Sequence, residues 1–191
     1  MSSVKEIEYA VKVLLSNNLP KSKIWLLHCN TEYPTPFEDV NLRAMLSLRE
    51  IFNVYVGYSD HTVGIDVSLA AVAMGASIIE KHFTLDKNSD GPDHSASLSV
   101  DEFKLMIKKI RDLEIILGEG RKYMTKSEEA NKMIVRKSIV AKTNIRKGEV
   151  FTSDLLTVKR PLSGVCASKW DTYIGEKASR DYEKNEFIDK L

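Results

Sequence analysis

The stretch NVYVGYSDHT, residues 53–62, joins two kinds of sequence. Its first part is a short apolar run rich in β-branched and aromatic residues, which predicts a strand. Its second part places a hydroxyl, a carboxylate and an imidazole on consecutive residues, Ser59, Asp60 and His61. Such a triplet after a strand is either an ordinary polar turn or one wall of a functional site. The flanking sequence has to separate these two readings.

Two similar runs lie on either side. KIWLLHC (23–29) predicts a buried strand bounded by turn signals, and ASIIEKHFTL (76–85) predicts a third strand. Between them, VNLRAMLSLREIF (40–52) has helical periodicity, and VSLAAVAMG (67–75) reads as an apolar helix stopping at Gly75. The chain opens on a helix in which Ser2 or Ser3 caps, Glu6 closes a capping box, and Ile7, Ala10, Val11 and Leu14 recur at helical spacing. NTEYPTPFED (30–39) and DKNSDGPDHSASLS (86–99) are polar loops, and VDEFKLMIKKIRDLEIILG (100–118) is a long amphipathic helix. This alternation predicts an α/β fold with a parallel sheet and right-handed crossovers.

From about Gly118 the character changes. Residues 119–134 are charged and weakly patterned, as a linker or a surface helix would be. Residues 135–191 carry short β-rich pieces between the turns NIRKGE and PLSG, a small second domain near the lower size limit for folding alone. Three parallel strands do not close a sheet, so the first region is either a small open sheet or part of something larger.

Composition narrows the function classes. Of 191 residues, 43% are hydrophobic and 29% charged, which supports a packed core rather than disorder. A net charge of +1 without a long run of one sign gives no case for nucleic acid or an anionic membrane. No apolar stretch approaches the ~20 residues that span a bilayer, and the N-terminus lacks the layout of an export signal. Two distant cysteines, Cys29 and Cys166, form no metal-like or redox pair, consistent with a reduced, cytoplasmic setting.

Each strand delivers polar groups at its carboxyl end: His28, Cys29, Asn30, Thr31 and Tyr33; then Ser59, Asp60 and His61; then Glu80, Lys81 and His82. In α/β folds that edge of the sheet is where ligands bind. Neighbouring parallel strands would bring His61 and His82 close enough to share one divalent metal, or else the two are core histidines bonded to neighbours. Alternation puts Glu80 on the side of His82, with Lys81 pointing away; Glu80 is a catalytic acid or a salt-bridge partner. Asp93 and His94 follow the rigid Gly91–Pro92 turn. Cys29 reads as a buried small residue, with no basic side chain assigned to activate it. Arg160, at a strand end before a proline, is either a carboxylate or phosphate holder or simply solvated.

LLHCNTEYPTPFEDVNLRAM, VGYSDHT, IIEKHFTLDK, GPDHSAS and RKSIVAKTNIRKGEVF…VKRP together resemble the C-terminal part of the bacterial sialic acid (N-acetylneuraminate) synthases, with the legionaminic and pseudaminic acid synthases as close relatives. The five blocks cover nearly the whole chain in order. The resemblance implies about three βα units from the end of a TIM (β/α)8 barrel (1–118), a linker (119–134) and a small β-rich SAF, or antifreeze-like, domain (135–191). It implies condensation of phosphoenolpyruvate with N-acetylmannosamine or a related aminosugar, with release of phosphate. A divalent metal, manganese first and magnesium or cobalt as alternatives, would polarise the sugar aldehyde.

Matched position by position, the resemblance implies metal ligation by His61 and His82 and a catalytic role for Glu80. It implies phosphoenolpyruvate contacts from Ser59 and Thr31, and acceptor-sugar contacts from Tyr33, Asp93 and Arg160. Arg160 would act across a domain-swapped homodimer. Thr31 departs from members that carry asparagine there, although a hydroxyl still donates to phosphate. Length is the larger departure, since a closed barrel needs eight strands and ~250 residues. The chain is therefore expected to be inactive alone. The alternatives are a legionaminic or pseudaminic acid synthase, a non-catalytic remnant whose SAF domain binds sugar or oligomerises, and, setting the resemblance aside, a small metal-binding hydrolase.

Overall fold

The computed structural model describes residues 1–190 and divides into two compact units, Met1–Gly120 and Arg121–Leu191. The first is built on a three-stranded parallel sheet in the order β1 (Trp25–Cys29), β2 (Tyr55–Asp60), β3 (Ile79–Lys81). The register pairs Leu27 with Gly57 and Cys29 with Ser59, then Ser59 with Glu80 and Asp60 with Lys81. Helices α1 (Val4–Ser16), α2 (Arg43–Phe52), α3 (Asp66–Ala73) and α4 (Val100–Leu117) complete the unit. No helix among the described residues is long and apolar enough to cross a membrane.

Local chemistry explains the helix boundaries. Ser3 and Ser99 cap α1 and α4, and Glu6 and Glu102 reach back to the cap backbone, closing both capping boxes. Gly75, at φ +95°, lets the chain turn out of α3. Gly57 is required for another reason: a Cβ there would lie 2.5 Å from the carbonyl oxygen of Ile78. Val56 and Tyr58 of β2 pack against Met45, Leu48 and Phe52 of α2 and Ala71 of α3, so the core lies on the helix-facing side of the sheet.

Three expectations need correction. The strand Trp25–Cys29 is only half-buried, and Trp25 is 41% exposed, because β1 pairs on one side alone. Regular pairing of the third strand stops at Lys81; beyond it Phe83 bridges Leu98 instead, and Leu98 N donates to His82 O at 2.9 Å. In α1 the apolar stripe is covered only at Val11 and partly at Ile7, while Ala10 and Leu14 are exposed.

In the second unit, α5 (Lys126–Val135) precedes an antiparallel pair, β4 (Ser138–Ala141) with β5 (Leu156–Lys159). Single bridges join Val140 to Phe187, Ile145 to Tyr182 and Val150 to Lys177, and the short helix α6 (Trp170–Tyr173) closes one side. Ile139, Ala141, Ile145, Phe151, Leu156, Val165 and Ile188 form its core with Tyr173, Ala178 and Tyr182. Buried Ser138 donates to Pro161 O and accepts from Gly164 N, which fixes the PLSG turn.

Candidate functional site at the carboxyl ends of the strands

Alternation along β2 separates two kinds of residue. Val56, Tyr58 and Asp60 face the helices, whereas Ser59 and His61 face the other way, toward Glu80 and Tyr33. On that second face Ser59 Oγ donates to Glu80 Oε1 at 2.7 Å and lies 3.2 Å from His61 Nε2. The ring centroids of His61 and His82 are 5.5 Å apart. The Tyr33 ring stacks on His61 at 3.8 Å, and its hydroxyl bonds His61 Nε2 and, at 2.9 Å, His82 Nε2. Both imidazole Nε2 atoms therefore converge on one point.

The orientation of His61 is set from behind. Its Nδ1 lies 2.6 Å from the Asn30 carbonyl, which can only accept, so Nδ1 carries the proton and Nε2 the lone pair. Burial lowers the His61 pKa, with the Asn30 bond opposing and the neighbouring His82 adding to the fall. Burial raises the Tyr33 pKa, helped by the nearby Cys29, Asp93 and Glu80. Asp93 Oδ2 stands 3.7 Å from His82 Nδ1. Thr35 N donates to His61 O at 3.0 Å, tying the Pro-rich loop to the turn.

Asp60 does something different from its two neighbours in the sequence. It is fully buried on the helix-facing side and accepts from Thr62 N, Thr62 Oγ1 and Ser68 Oγ, at 2.9, 2.8 and 2.6 Å. Lys81 Nζ lies 3.1 Å from Asp60 Oδ2 and also donates to Thr62 O. Burial pulls the Lys81 pKa below its ordinary value, and Asp60 opposes that fall. Next to them the Tyr58 hydroxyl is buried without a hydrogen-bond partner among the described residues; burial, then Asp60, pushes its pKa to about 12.

The structure thus brings together Ser59, His61, Glu80, His82, Tyr33 and Asp93 from the predicted set. Thr31 is exposed on the same loop as Tyr33, and Arg160 is exposed at the end of β5 in the second unit. Two residues named at the end of the first strand take roles that the sequence reading did not give them. Asn30 acts through its backbone carbonyl, which no side-chain motif reveals. Cys29 is only partly buried and its Sγ lies 3.8 Å from the His61 ring, so a basic group does adjoin it. The alternation of β1, which sends Cys29 to the face of Ser59 through their direct register, was the available signal.

The residues can be tested against a divalent metal. No group of three or more His, Cys, Asp or Glu side chains gathers as a metal cluster among the described residues. Two imidazoles with converging Nε2 atoms, one held in the ligating tautomer by a backbone carbonyl, are the donor type that suits such an ion, which would take the place that the Tyr33 hydroxyl now fills between them.

An open parallel sheet with polar groups gathered at its carboxyl edge defines an α/β protein with a candidate ligand site at that edge. Residues 1–122 match the NeuB family and residues 136–190 the SAF domain, and the chain belongs to the NeuB family. It is 52% identical over 188 residues to the N,N′-diacetyllegionaminic acid synthase of Campylobacter jejuni, covering 98% of this chain and 56% of that protein. It is 40% identical over 160 residues to the human N-acetylneuraminate-9-phosphate synthase, covering 83% and 43%. The crystal structure of the N-acetylneuraminic acid synthetase of Leptospira borgpetersenii superposes with a TM-score of 0.61 at 37% identity, over 69% of this chain and 45% of that one. The chain spans about half the length of the curated relatives it matches.

Proposed function

We propose that this chain is the C-terminal part of a synthase that condenses phosphoenolpyruvate and one water with an N-acetylated aminosugar, giving a nonulosonic acid and phosphate. The observation that carries the reading is the convergence of Ser59, Glu80, His61, His82 and Tyr33 at the carboxyl ends of three parallel strands. The three strands are read as the last three of a (β/α)8 barrel. In that reading His61 and His82 hold a divalent ion, manganese first, which supplies Lewis-acid polarisation of a carbonyl oxygen.

The chain's own residues then have separate tasks. Ser59 and Thr31 contact the phosphoenolpyruvate, Ser59 from a strand and Thr31 from an exposed loop. Tyr33 and Asp93 border the acceptor sugar, and Arg160 reaches it across a domain-swapped homodimer. Glu80, its Oε1 bonded by Ser59, is the carboxylate available to take up a proton beside the reacting carbons. For the acceptor, N-acetylmannosamine and a 2,4-diacetamido-trideoxy sugar are both served by this arrangement. The 52% identity to a legionaminic acid synthase over 98% of the chain favours the second.

The test is phosphate release from phosphoenolpyruvate in the presence of each sugar, with the purified chain alone and after addition of the missing barrel strands as a separate polypeptide. No turnover is expected alone, and turnover that requires both phosphoenolpyruvate and one sugar is expected in the complemented protein. In that protein His61→Ala and His82→Ala are expected to abolish activation by manganese. A variant retaining the full manganese response would remove the two-histidine site, and turnover by the chain alone would remove the need for the missing strands.

A further inference from the structure

We propose that the buried Asp60–Lys81 pair is a positioning clamp that aims the His61 and His82 imidazoles at each other from the opposite face of the sheet. The proposal rests on the reading of those two histidines as a metal pair, and deepens it. Asp60 and Lys81 are direct partners in the β2–β3 ladder, and theirs is its last rung. Each immediately precedes one of the histidines in sequence. Beyond that rung no regular pairing joins β2 to β3. Thr35 N and Leu98 N hold the carbonyls of His61 and His82, Asn30 O holds the His61 ring, and the rung fixes the backbone from which both histidines start.

The fixing is done by side chains. Asp60 Oδ1 accepts from both the backbone N and the hydroxyl of Thr62, the residue after His61, while Lys81 Nζ donates to the Thr62 carbonyl. The peptide units that follow His61 are therefore gripped at two atoms, Thr62 N and O, with the Thr62 hydroxyl as a third point, and Lys81, one residue before His82, is one of the gripping groups. Ser68 Oγ, from the first turn of α3, anchors the other carboxylate oxygen at 2.6 Å. Side-chain exposure is 2% for Lys81 and 0% for Asp60.

A buried ion pair of this kind is poor evidence for stability, because desolvating both charges offsets most of their attraction, and apolar residues of similar volume often do as well. What apolar residues cannot do is hold one backbone segment by directed hydrogen bonds. Registry, with both imidazoles delivered to one point, is the task that the polar groups are suited to.

The test uses the 191-residue chain labelled with ¹⁵N-histidine, and reads the imidazole nitrogens by long-range ¹H–¹⁵N correlation and Mn²⁺ affinity by calorimetry. Wild type is expected to hold His61 as the single Nδ1–H tautomer. Lys81→Met and Asp60→Asn are expected to mix the His61 tautomers and to weaken Mn²⁺ roughly ten- to a hundredfold, as loss of an outer-shell partner does. Val56→Ala, buried on the same strand and face, controls for lost stability and should leave both readouts unchanged.

Wild-type imidazole signals in folded Lys81→Met and Asp60→Asn overturn the clamp. Should both variants fail to fold, Ser68→Ala decides: mixed tautomers support the clamp and wild-type signals overturn it. Wild-type protein that binds no Mn²⁺, or binds it equally after His61→Ala, removes the metal reading, while the imidazole signals still judge the clamp.

Discussion

The two units bury similar numbers of apolar residues in very different lengths of chain: twelve among the described residues of the first, spread over 120 residues, and eleven in the second, over about 70. The second closes on itself, with all four residues of β4 buried and its remaining segments bridged to one another. The first does not. Both β1 and β3 pair on one side only, and Trp25, Phe83, Leu85, Ile115 and Ile116 are exposed. A sheet with two open edges and uncovered apolar side chains offers surface on which further strands or a partner can pair. The difference teaches that the candidate site sits on the unit with the open sheet, whereas the unit with the denser core carries only Arg160 from the predicted set.

The largest effect that could break this comparison is in hydrogen exchange. Ile139 and Ala141 donate their amides to Val165 O and Glu186 O inside the second core. They are expected to exchange on the order of a hundredfold more slowly than the amides of Trp25–Cys29, because edge strands with little cover open locally at low cost. Equal protection across the two units would mean that the open sheet is as well secured as the closed one. If the proposed barrel is right, addition of its other strands as a separate polypeptide should raise protection in Trp25–Cys29 and leave Ile139 and Ala141 as they were.

One substitution made in both units sharpens the contrast. Leu156 is 1% exposed and Leu85 is 85% exposed. Leu156→Ala should cost about 3 kcal/mol, the lost transfer energy plus the cavity left behind. Leu85→Ala should lie within about 0.5 kcal/mol of wild type, as surface changes do. Chemical denaturation followed separately in each unit by NMR checks both values. A large cost at Leu85 would show that its surroundings are more closed than the exposure implies.

How far the sequence could be read follows the same division between local and tertiary causes. The capping boxes of Ser3 and Ser99, the α/β alternation and the stop at Gly75 depend on neighbours in the chain, and all were legible. The end of the third strand was not, because Phe83 leaves the ladder to meet Leu98, and only the fold decides that exchange. At the site, alternation put Glu80 on one side and sent Lys81 the other way, and the structure adds their partners, Ser59 for Glu80 and Asp60 for Lys81. It could not say that Asp60, the middle residue of Ser59-Asp60-His61, is a structural acceptor for four donors. Nor could it show that the Tyr33 hydroxyl stands between two imidazoles, since the path of the Pro-rich loop is a tertiary matter.

The smallest effect concerns acid, and it belongs to the second unit. Arg180 forks between Asp189, at 2.7 Å, and Glu186, also at 2.7 Å, and lies over the Tyr182 ring at 4.3 Å. The Arg180 hydrogen bond holds Asp189 below the usual carboxylate range, while Glu186 is lowered first by the Glu183 backbone amide and then by Arg180. Carboxylates with lowered folded-state values stabilise the fold above their unfolded values, near 4. That contribution is lost as pH falls through the lower, folded-state values. Wild type should therefore lose this increment only below about pH 4, and Arg180→Ala should move the acid midpoint of the second unit upward. All three side chains are more than a third exposed, so screening by water and salt keeps the effect small. Added salt should shrink the difference between wild type and Arg180→Ala further. An acid midpoint that is the same in both proteins at low salt would assign the closure of this unit to its apolar core alone.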